Sequence, residues 1–323
     1  MMIGTTLNKR YRIQSLLGSG RCGKTYLAQD IQATKDSLCV IKQFEPLAKD
    51  PLSLRKAKYL FAREVKVLKI LGRSDRISDL LGHFQQGEQF YLVHSYIEGE
   101  DLGQELGSNK RWTESQVVAL LREILAILEV VHNERVIHQD IKPSNIIRRK
   151  SDGSLILVDF GSIKKIYNQM ANAEGKTSLT VPIGTKGYMP PEQKSIKPQL
   201  ASDIYAVGMI AIYALTGVKP EDLPRKQDTD TVQWRNLIQV DENLAQLLDK
   251  MVCPDFRQRY SSASEALMAL RGCKLGGKLK LFDYSSLIAV LTLIAAILGG
   301  SYHYHQLNNS VEENPNTSYQ QLN

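Results

Sequence analysis

The chain has 323 residues, of which 43% are hydrophobic and 23% are charged, a balance typical of a globular protein large enough to divide into lobes. Its formal net charge is +7, but the Lys and Arg residues are spread along the sequence without a basic, aromatic-interleaved helix before the C-terminal region. We therefore expect no nucleic-acid partner. The four cysteines lack C-x-x-C spacing, which argues against a zinc site or a disulfide framework and favours a reducing cytoplasm.

The segment GSGRCGKT at residues 18–25 fits more than one phosphate-binding pattern. As G-x-x-x-x-G-K-T it would be an NTPase phosphate loop, with Lys24 on the phosphates and Thr25 on magnesium. As G-x-G-x-x-G it would be a dinucleotide-binding turn or a flap over a nucleotide. The first two structures need a strand before the loop and a helix after it, but both flanks here are short and rich in β-formers. The flanks therefore favour a flap that caps a hairpin.

Lys42 and Glu64 are the next candidate pair. Lys42 ends the apolar run CVIK, and the following pattern predicts an amphipathic helix over residues 54–71. Glu64 lies among Phe61 and Val65 on the apolar side of that helix, where a carboxylate needs a cation, and Lys42 is the candidate. Taken alone, the two residues are better explained as an ordinary strand lysine and a solvated helix glutamate.

Two polar segments follow at a spacing that has a chemical reason. The segment VIHQDIKPSNII contains Asp140, which can accept the proton of an attacking hydroxyl, and Lys142, which can steady a transferring phosphoryl group. The carbonyl oxygen of Asn145 can bind a metal ion. About fourteen residues later LILVDFGS places Asp159 at the end of an apolar strand, where its carboxylate can chelate magnesium.

Taken in order, these motifs resemble the eukaryotic-type (Hanks-type) serine/threonine protein kinases, with a bacterial-like, membrane-anchored layout. The resemblance covers about residues 11–270 and includes an intact DFG and the segment GTKGYMPPE at residues 184–192. It implies an α+β, bilobal kinase fold with a small β-rich N-lobe, about 11–97, and a large helical C-lobe, about 98–270.

The resemblance also implies that ATP and Mg²⁺ are held in the cleft between the lobes. It makes Asp140 the catalytic base, supported by Lys142, Lys42 and Glu64, and it makes Asn145 and Asp159 the metal ligands. The implied nucleotide-binding residues are Leu17, Gly18, Gly20, Gly23, Thr25, Lys42, Ser95, Ile97, Asp101 and Ile147.

The substrate class follows from the same resemblance. The order D-x-K-P-x-N, from Asp140 to Asn145, is similar to that of serine/threonine kinases, whereas tyrosine kinases usually lack this lysine. Thr185 matches the threonine that contacts the catalytic aspartate and lysine in serine/threonine kinases. We therefore expect protein substrates that are phosphorylated on serine or threonine.

Further residues have structural roles in the resemblance. His94 would lie at the back of the adenine pocket, either as a packed histidine or as a titrating one. Asp203 would be the buried aspartate of the large lobe, and Arg259 would pair with Glu192. An apolar column would link the lobes through Leu68, Leu80, His138 and Phe160.

One departure concerns regulation. Gln139 stands where many related kinases have the arginine of H-R-D, and an amide cannot make that arginine's charge-assisted bonds to a phosphate. We therefore expect that activity does not require phosphorylation of the activation segment acting through this position, although Thr177, Ser178 and Thr180 lie in that segment and could still be modified.

The C-terminal region poses a separate question. Residues 271–283 resemble a basic linker, residues 284–304 carry no charge, and residues 305–323 form a short polar tail. Basic residues before the apolar segment, acidic residues after it and tyrosines at both ends favour a single transmembrane helix, with the kinase domain on the cytoplasmic side of the cell membrane. Because the strongly apolar part, residues 287–300, is shorter than a span needs, a helix docked on the large lobe is the alternative.

Two classes of function remain open. The first is an active kinase that transfers the γ-phosphoryl of ATP to protein hydroxyls, and the second is an ATP-binding pseudokinase that acts as a scaffold. The complete set of Lys42, Glu64, Asp140, Asn145 and Asp159 favours the first, because a scaffold needs neither the base nor both metal ligands. A phosphate-loop NTPase is a distant third.

Overall fold

The computed structural model describes residues 2–20, 23–33, 37–44, 50–107, 111–160, 184–195 and 197–273. The predicted transmembrane helix at 284–304, the tail at 305–323 and most of the linker at 271–283 lie outside these residues. Thr177, Ser178 and Thr180 lie outside them as well.

A six-stranded antiparallel sheet and one long helix build the N-terminal lobe. The strand order is β1-β2-β3-β4-β6-β5. In β3 every second side chain is buried, as expected where one face of a sheet covers a core. The bounds are β1 (Thr6–Leu7), β2 (Tyr11–Gly20), β3 (Gly23–Asp30), β4 (Ser37–Phe44), α1 (Pro51–Leu71), β5 (Leu80–Gln86) and β6 (Gln89–Ser95).

The glycine segment is the turn of the β2–β3 hairpin, with Gly20 opposite Gly23 in the register. Gly23 has a φ of 143°, and a Cβ at this position would overlap the backbone carbonyl oxygen of Gln43 on β4. Only glycine fits there. Since a strand and not a helix follows the loop, the phosphate-loop and dinucleotide interpretations are wrong, and the flap interpretation is confirmed.

Helices dominate the C-terminal lobe, and a small sheet of order β7-β8-β9 lies beside them. Residues 201–216 of helix α5 (Leu200–Thr216) are buried on every side, as expected for a helix that is apolar all round at the centre of a lobe. The bounds are β7 (Gly99–Asp101), α2 (Leu102–Leu106), α3 (Glu114–Asn133), β8 (Ile146–Arg149), β9 (Leu155–Leu157), α4 (Pro191–Lys194), α5 (Leu200–Thr216), α6 (Glu242–Met251) and α7 (Ala263–Gly272).

The segment after α1 ties the two lobes together. Ile77 forms a parallel bridge with Leu157 of β9. On either side of this bridge, the Leu157 amide donates to the Arg76 carbonyl at 2.9 Å, and the Ser78 amide donates to the Leu157 carbonyl at 3.2 Å. The expected bilobal fold is confirmed. Within the described part of the chain, no helix is both long and apolar enough to cross a membrane.

Candidate active site

A cavity of about 540 Å³ lies between the glycine hairpin above and the small sheet of the C-terminal lobe below. Its lining includes most of the residues predicted to bind nucleotide or metal. These are Leu17, Gly18, Thr25, Lys42, Ser95, Ile97, Asp101, Asn145, Ile147 and Asp159. Gly20 and Gly23 shape the hairpin turn and do not line the cavity, and Glu64, Asp140 and Lys142 also lie outside its lining.

Sequence reasoning missed several lining residues, namely Val40, Ser78, Gly99, Gln104, Ser144 and Val158. Val40 had a usable signal, because it lies two positions before Lys42 on β4 and so projects from the same face of the strand. Ser144 also had one, because it directly precedes the predicted metal ligand Asn145. Ser78 had none, since only the packing of the lobes brings its segment to the cavity. Asp101, predicted to bind the nucleotide, also caps α2, with its carboxylate accepting the Gly103 amide at 2.8 Å.

Lys42 and Asp159 form an ion pair at the inner end of the cavity. The Lys42 ammonium donates to Oδ1 of Asp159 at 2.7 Å, across 117 residues of sequence. Asp159 holds a left-handed backbone with a φ of 63°, uncommon for a residue other than glycine. Glu64 is buried on α1, as predicted from its apolar neighbours. The proposed contact between Lys42 and Glu64 stays a prediction.

Asp140 is buried, and three side chains approach its carboxylate. Thr185 donates its hydroxyl to Oδ1 at 2.9 Å, and the ammonium of Lys142 lies 3.3 Å from Oδ2. Asn145 donates its amide to the Asp140 backbone carbonyl at 2.8 Å and to Oδ2 at 3.3 Å. The predicted base therefore meets its predicted lysine and threonine in one cluster.

Asp203 holds the loop that carries Asp140. Its carboxylate accepts the backbone amide of His138 at 2.8 Å and that of Gln139 at 2.9 Å, and it contacts Nε2 of His132 at 3.2 Å. Gln139 has a φ of 67°, so the chain turns sharply just before Asp140. These bonds orient the loop and therefore the side chain of Asp140, as expected for Asp203 as the predicted buried aspartate.

Two further predictions concerned packing. The rings of His138 and Phe160 lie 4.6 Å apart, as expected for the lower half of the apolar column. The extension of that column through Leu68 and Leu80 stays a prediction. Arg259 and Glu192 form the expected buried pair, with the guanidinium donating to the two carboxylate oxygens at 2.8 and 3.0 Å. This pair anchors α4, directly after the segment that carries Thr185.

His94 lies at the back of the cavity, as predicted. Burial, followed by the nearby Lys42 charge, lowers the pKa of the His94 imidazole to about 3, so the ring is neutral at physiological pH. Its Nδ1 atom has no hydrogen-bond partner among the residues that the structure describes. Of the two possibilities for His94, a packed ring and a titrating one, the structure supports the packed ring.

The cavity fits a magnesium ion. Asn145 and Asp159 both line it, and carboxylate and amide oxygens are the hard donors that Mg²⁺ prefers. Since the Asn145 amide nitrogen is engaged with Asp140, its carbonyl oxygen is left to act as a ligand. No cluster of three or more His, Cys, Asp or Glu side chains occurs in the described part of the chain, so an ion held here would complete its shell with phosphate oxygens and water.

A glycine hairpin over a cavity, a lysine paired with a strand-end aspartate and a loop with Asp140, Lys142 and Asn145 define the architecture of the protein kinases. The family model of the protein kinase domain matches residues 11–269, and the chain belongs to this family. The resemblance to the kinase family seen in the sequence is confirmed, and the membrane-anchored layout stays a prediction.

Relatives and solved structures agree with this assignment. Serine/threonine-protein kinase B of Synechocystis sp. is 40% identical over 82% of this chain and 46% of its own length. Serine/threonine-protein kinase PknA of Nostoc sp. is 38% identical over 82% of this chain and 47% of its own. The crystal structure of the Mycobacterium tuberculosis PknI kinase domain has a TM-score of 0.59 at 17% identity and covers 84% of this chain and 98% of its own, which supports the fold alone. The chain spans about half the length of the curated relatives it matches.

Proposed function

We propose that this chain is an active serine/threonine protein kinase, which transfers the γ-phosphoryl of ATP to hydroxyl groups of proteins. The observation that carries the proposal is the cluster around Asp140, where Thr185 and Lys142 contact the carboxylate beside a nucleotide-sized cavity. The names of the relatives, which are serine/threonine-protein kinases, support the same activity.

The roles of the residues follow from their positions. Asp140 accepts the proton of the acceptor hydroxyl through its carboxylate, and Lys142 beside it steadies the charge of the transferring phosphoryl group. Thr185 holds the carboxylate in place through its 2.9 Å hydrogen bond. For serine and threonine substrates, proton transfer requires that this base contact the hydroxyl of the substrate side chain.

The nucleotide would occupy the cavity, with adenine against the backbone from Ser95 to Ile97, the ribose near Asp101 and the phosphates below the glycine hairpin. Lys42 binds the phosphates, and Asn145 and Asp159 are the residues that would hold Mg²⁺. When bound, this ion neutralises charge on the β- and γ-phosphates. Lys42 and Asp159 orient each other, because their 2.7 Å ion pair joins strand β4 to the DFG segment.

Labelled ATP, magnesium and a generic protein acceptor test the proposal on the purified full chain. We expect label on the acceptor protein, and we expect Asp140→Asn to reduce transfer by about 10²–10⁴-fold while nucleotide binding persists. Binding without transfer by the unaltered chain would support the pseudokinase scaffold instead. Release of free phosphate without labelled protein would support an NTPase.

The second part of the proposal concerns regulation. Gln139 is buried and its backbone carbonyl accepts the Gln193 amide at 2.6 Å, so this position is a structural part of the loop and carries no cation for a phosphate. We expect activity without phosphorylation of the activation segment. Replacement of Thr177, Ser178 and Thr180 by alanine tests this expectation, and loss of activity in a folded triple variant would contradict it.

The third part concerns location. Its support is the sequence pattern at residues 284–304, with basic residues before it and acidic residues after it. We propose a single-pass anchor in the cell membrane, with the kinase domain on the cytoplasmic side. Extraction of membranes at alkaline pH tests the proposal, because a spanning protein stays in the pellet and a helix docked on the C-terminal lobe is released with the domain.

A further inference from the structure

Helix α1 has two contrasting faces. Its inner face packs against the sheet through Ala57, Phe61, Val65 and Leu68, all of which are buried. Its outer face is exposed and carries a row of cations. These are Arg55, Lys58, Arg63, Lys66 and Lys69. In the sequence these residues look scattered, but a helical turn of 3.6 residues gathers them on the solvent side.

The outer face of α1 lacks compensating negative charge. Glu64 is the one acidic residue of the helix, and it is buried on the opposite side. Among the described residues, none of the five cations forms an ion pair. Some exposed arginines elsewhere on the domain are paired, as Arg149 is with Asp152 at 2.6 Å and Arg235 with Asp249 at 2.7 Å. What distinguishes α1 is that five exposed cations share one side of a single helix.

Large apolar side chains accompany the cations. Leu52 is 75% exposed and Tyr59 is 64% exposed. They are seven residues apart, which is two helical turns, and so they project from the same side of α1. Neither side chain is buried in the core of the N-terminal lobe. Transfer of such an exposed leucine from water to an apolar environment is favourable.

We propose that the outer face of α1 binds the anionic surface of a phospholipid membrane. Clustered Lys and Arg on an amphipathic helix attract acidic headgroups, and exposed Leu and aromatic side chains enter the interface between headgroups and acyl chains. Leu52 and Tyr59 distinguish this partner from a nucleic acid. A phosphodiester backbone matches the cations equally well but offers no apolar layer for the leucine.

The surface is separate from the machinery of phosphoryl transfer, although α1 connects the two. Glu64, the predicted partner of Lys42, belongs to the buried side of the same helix. A membrane that holds the outer face therefore also restrains the helix that carries Glu64. The binding itself requires neither kinase activity nor the proposed membrane span.

A lysine-acetylation footprint on the full chain tests the proposal even if the C-terminal region also enters membranes. The chain is mixed with phosphatidylcholine vesicles that either lack or contain phosphatidylglycerol, and acetylation is then measured by mass spectrometry. We expect anionic vesicles to protect Lys58, Lys66 and Lys69 severalfold, and neutral vesicles to leave them reactive. High salt should remove the protection, because it screens exposed charges. Lys219 and Lys226, exposed on the C-terminal lobe, should stay reactive throughout.

Charge reversal supplies the matched variants. The pair Lys58→Glu and Lys66→Glu should raise the anionic lipid concentration that half-protects Lys69 by about tenfold or more. The pair Lys219→Glu and Lys226→Glu changes the net charge equally and should leave that concentration unchanged. Leu52→Ser should raise it by a smaller factor. Unaltered ATP binding by each variant shows that it is folded.

Three results would overturn the proposal. The first is equal footprints with neutral and anionic vesicles. The second is protection of the α1 lysines by a DNA duplex but not by anionic vesicles, which would make the partner a nucleic acid. The third is an equal effect of the two charge-reversed pairs, which would mean that binding depends on the overall net charge and not on the outer face of α1.

Discussion

Thr185 donates its hydroxyl to Oδ1 of Asp140 at 2.9 Å, although 45 residues separate them in the chain. Asp140 is buried, and its position already depends on Asp203, which accepts the two backbone amides just before it. The threonine bond adds a restraint on the carboxylate itself. The segment that carries Thr185 thereby helps to orient the proposed base.

Replacement of Thr185 by valine keeps the shape of the side chain but removes the donor. A hydrogen bond to a charged group contributes about 1.5–3 kcal/mol, so we expect kcat to fall by about tenfold to a hundredfold. The KM for ATP should change little, since Thr185 does not line the cavity. Steady-state kinetics measure both values. Thr185→Ser, which retains a hydroxyl, should keep most of the activity, and equal losses in the two variants would contradict the role of the bond.

Asp159→Asn tests the metal site. The variant preserves the size of the side chain but removes the charge that would hold Mg²⁺ and that pairs with Lys42. We expect the magnesium concentration for half-maximal activity to rise at least about tenfold, because even outer-shell partners contribute that much to metal affinity. Titration of activity with magnesium at saturating ATP gives this value. Asp152→Asn, an exposed aspartate paired with Arg149, is the control and should leave it unchanged.

The pKa of His94, lowered to about 3 by burial, predicts how stability depends on pH. Histidine in the unfolded chain has a pKa near 6.5. Below that pH the unfolded chain binds a proton at this residue, and the folded protein does not. Above about pH 6.5 this histidine therefore does not lower the stability of the folded state. As the pH falls from there towards 3, the free energy of unfolding decreases. At pH 5 the loss from this one group is about 2 kcal/mol.

Urea unfolding of the unaltered chain and of His94→Leu, at pH 7 and at pH 5, measures this contribution. Other buried groups, such as His138, titrate in both proteins and cancel in the comparison. We expect the unaltered chain to lose about 2 kcal/mol more than the variant between the two pH values. Equal losses would mean that the imidazole is hydrated and titrates normally in the folded protein.

Arg259→Met tests the buried ion pair. The change keeps the length of the apolar stem but leaves the Glu192 carboxylate buried without its guanidinium, and breaking such a pair costs about 3–5 kcal/mol. The free energy of unfolding should fall by that amount. Lys150→Met removes one partner of an exposed pair with Glu98 and should leave stability unchanged. A loss for Arg259→Met as small as that of the control would show that water replaces the guanidinium.

Much of the site was predictable because kinase chemistry depends on residue types at short, fixed spacings. Asp140, Lys142 and Asn145 lie within six residues of one another, so the loop itself brings them close. The glycine turn was predictable for a similar reason, since the strands on either side decide what the loop can do. The partner of Lys42 was harder to predict from the sequence. The structure pairs it with Asp159, and nothing in the local sequence ranks that residue above Glu64.

The sequence by itself determined the order of the motifs, the alternation of the strands and the apolar character of α5, because each depends on neighbours a few residues away. The tertiary structure alone decided that Lys42 pairs with Asp159, that the pKa of His94 is lowered and that five cations of α1 face the solvent without acidic partners among the described residues. Contact, desolvation and uncompensated charge all depend on which distant segments pack together, and a linear pattern contains no measure of those distances.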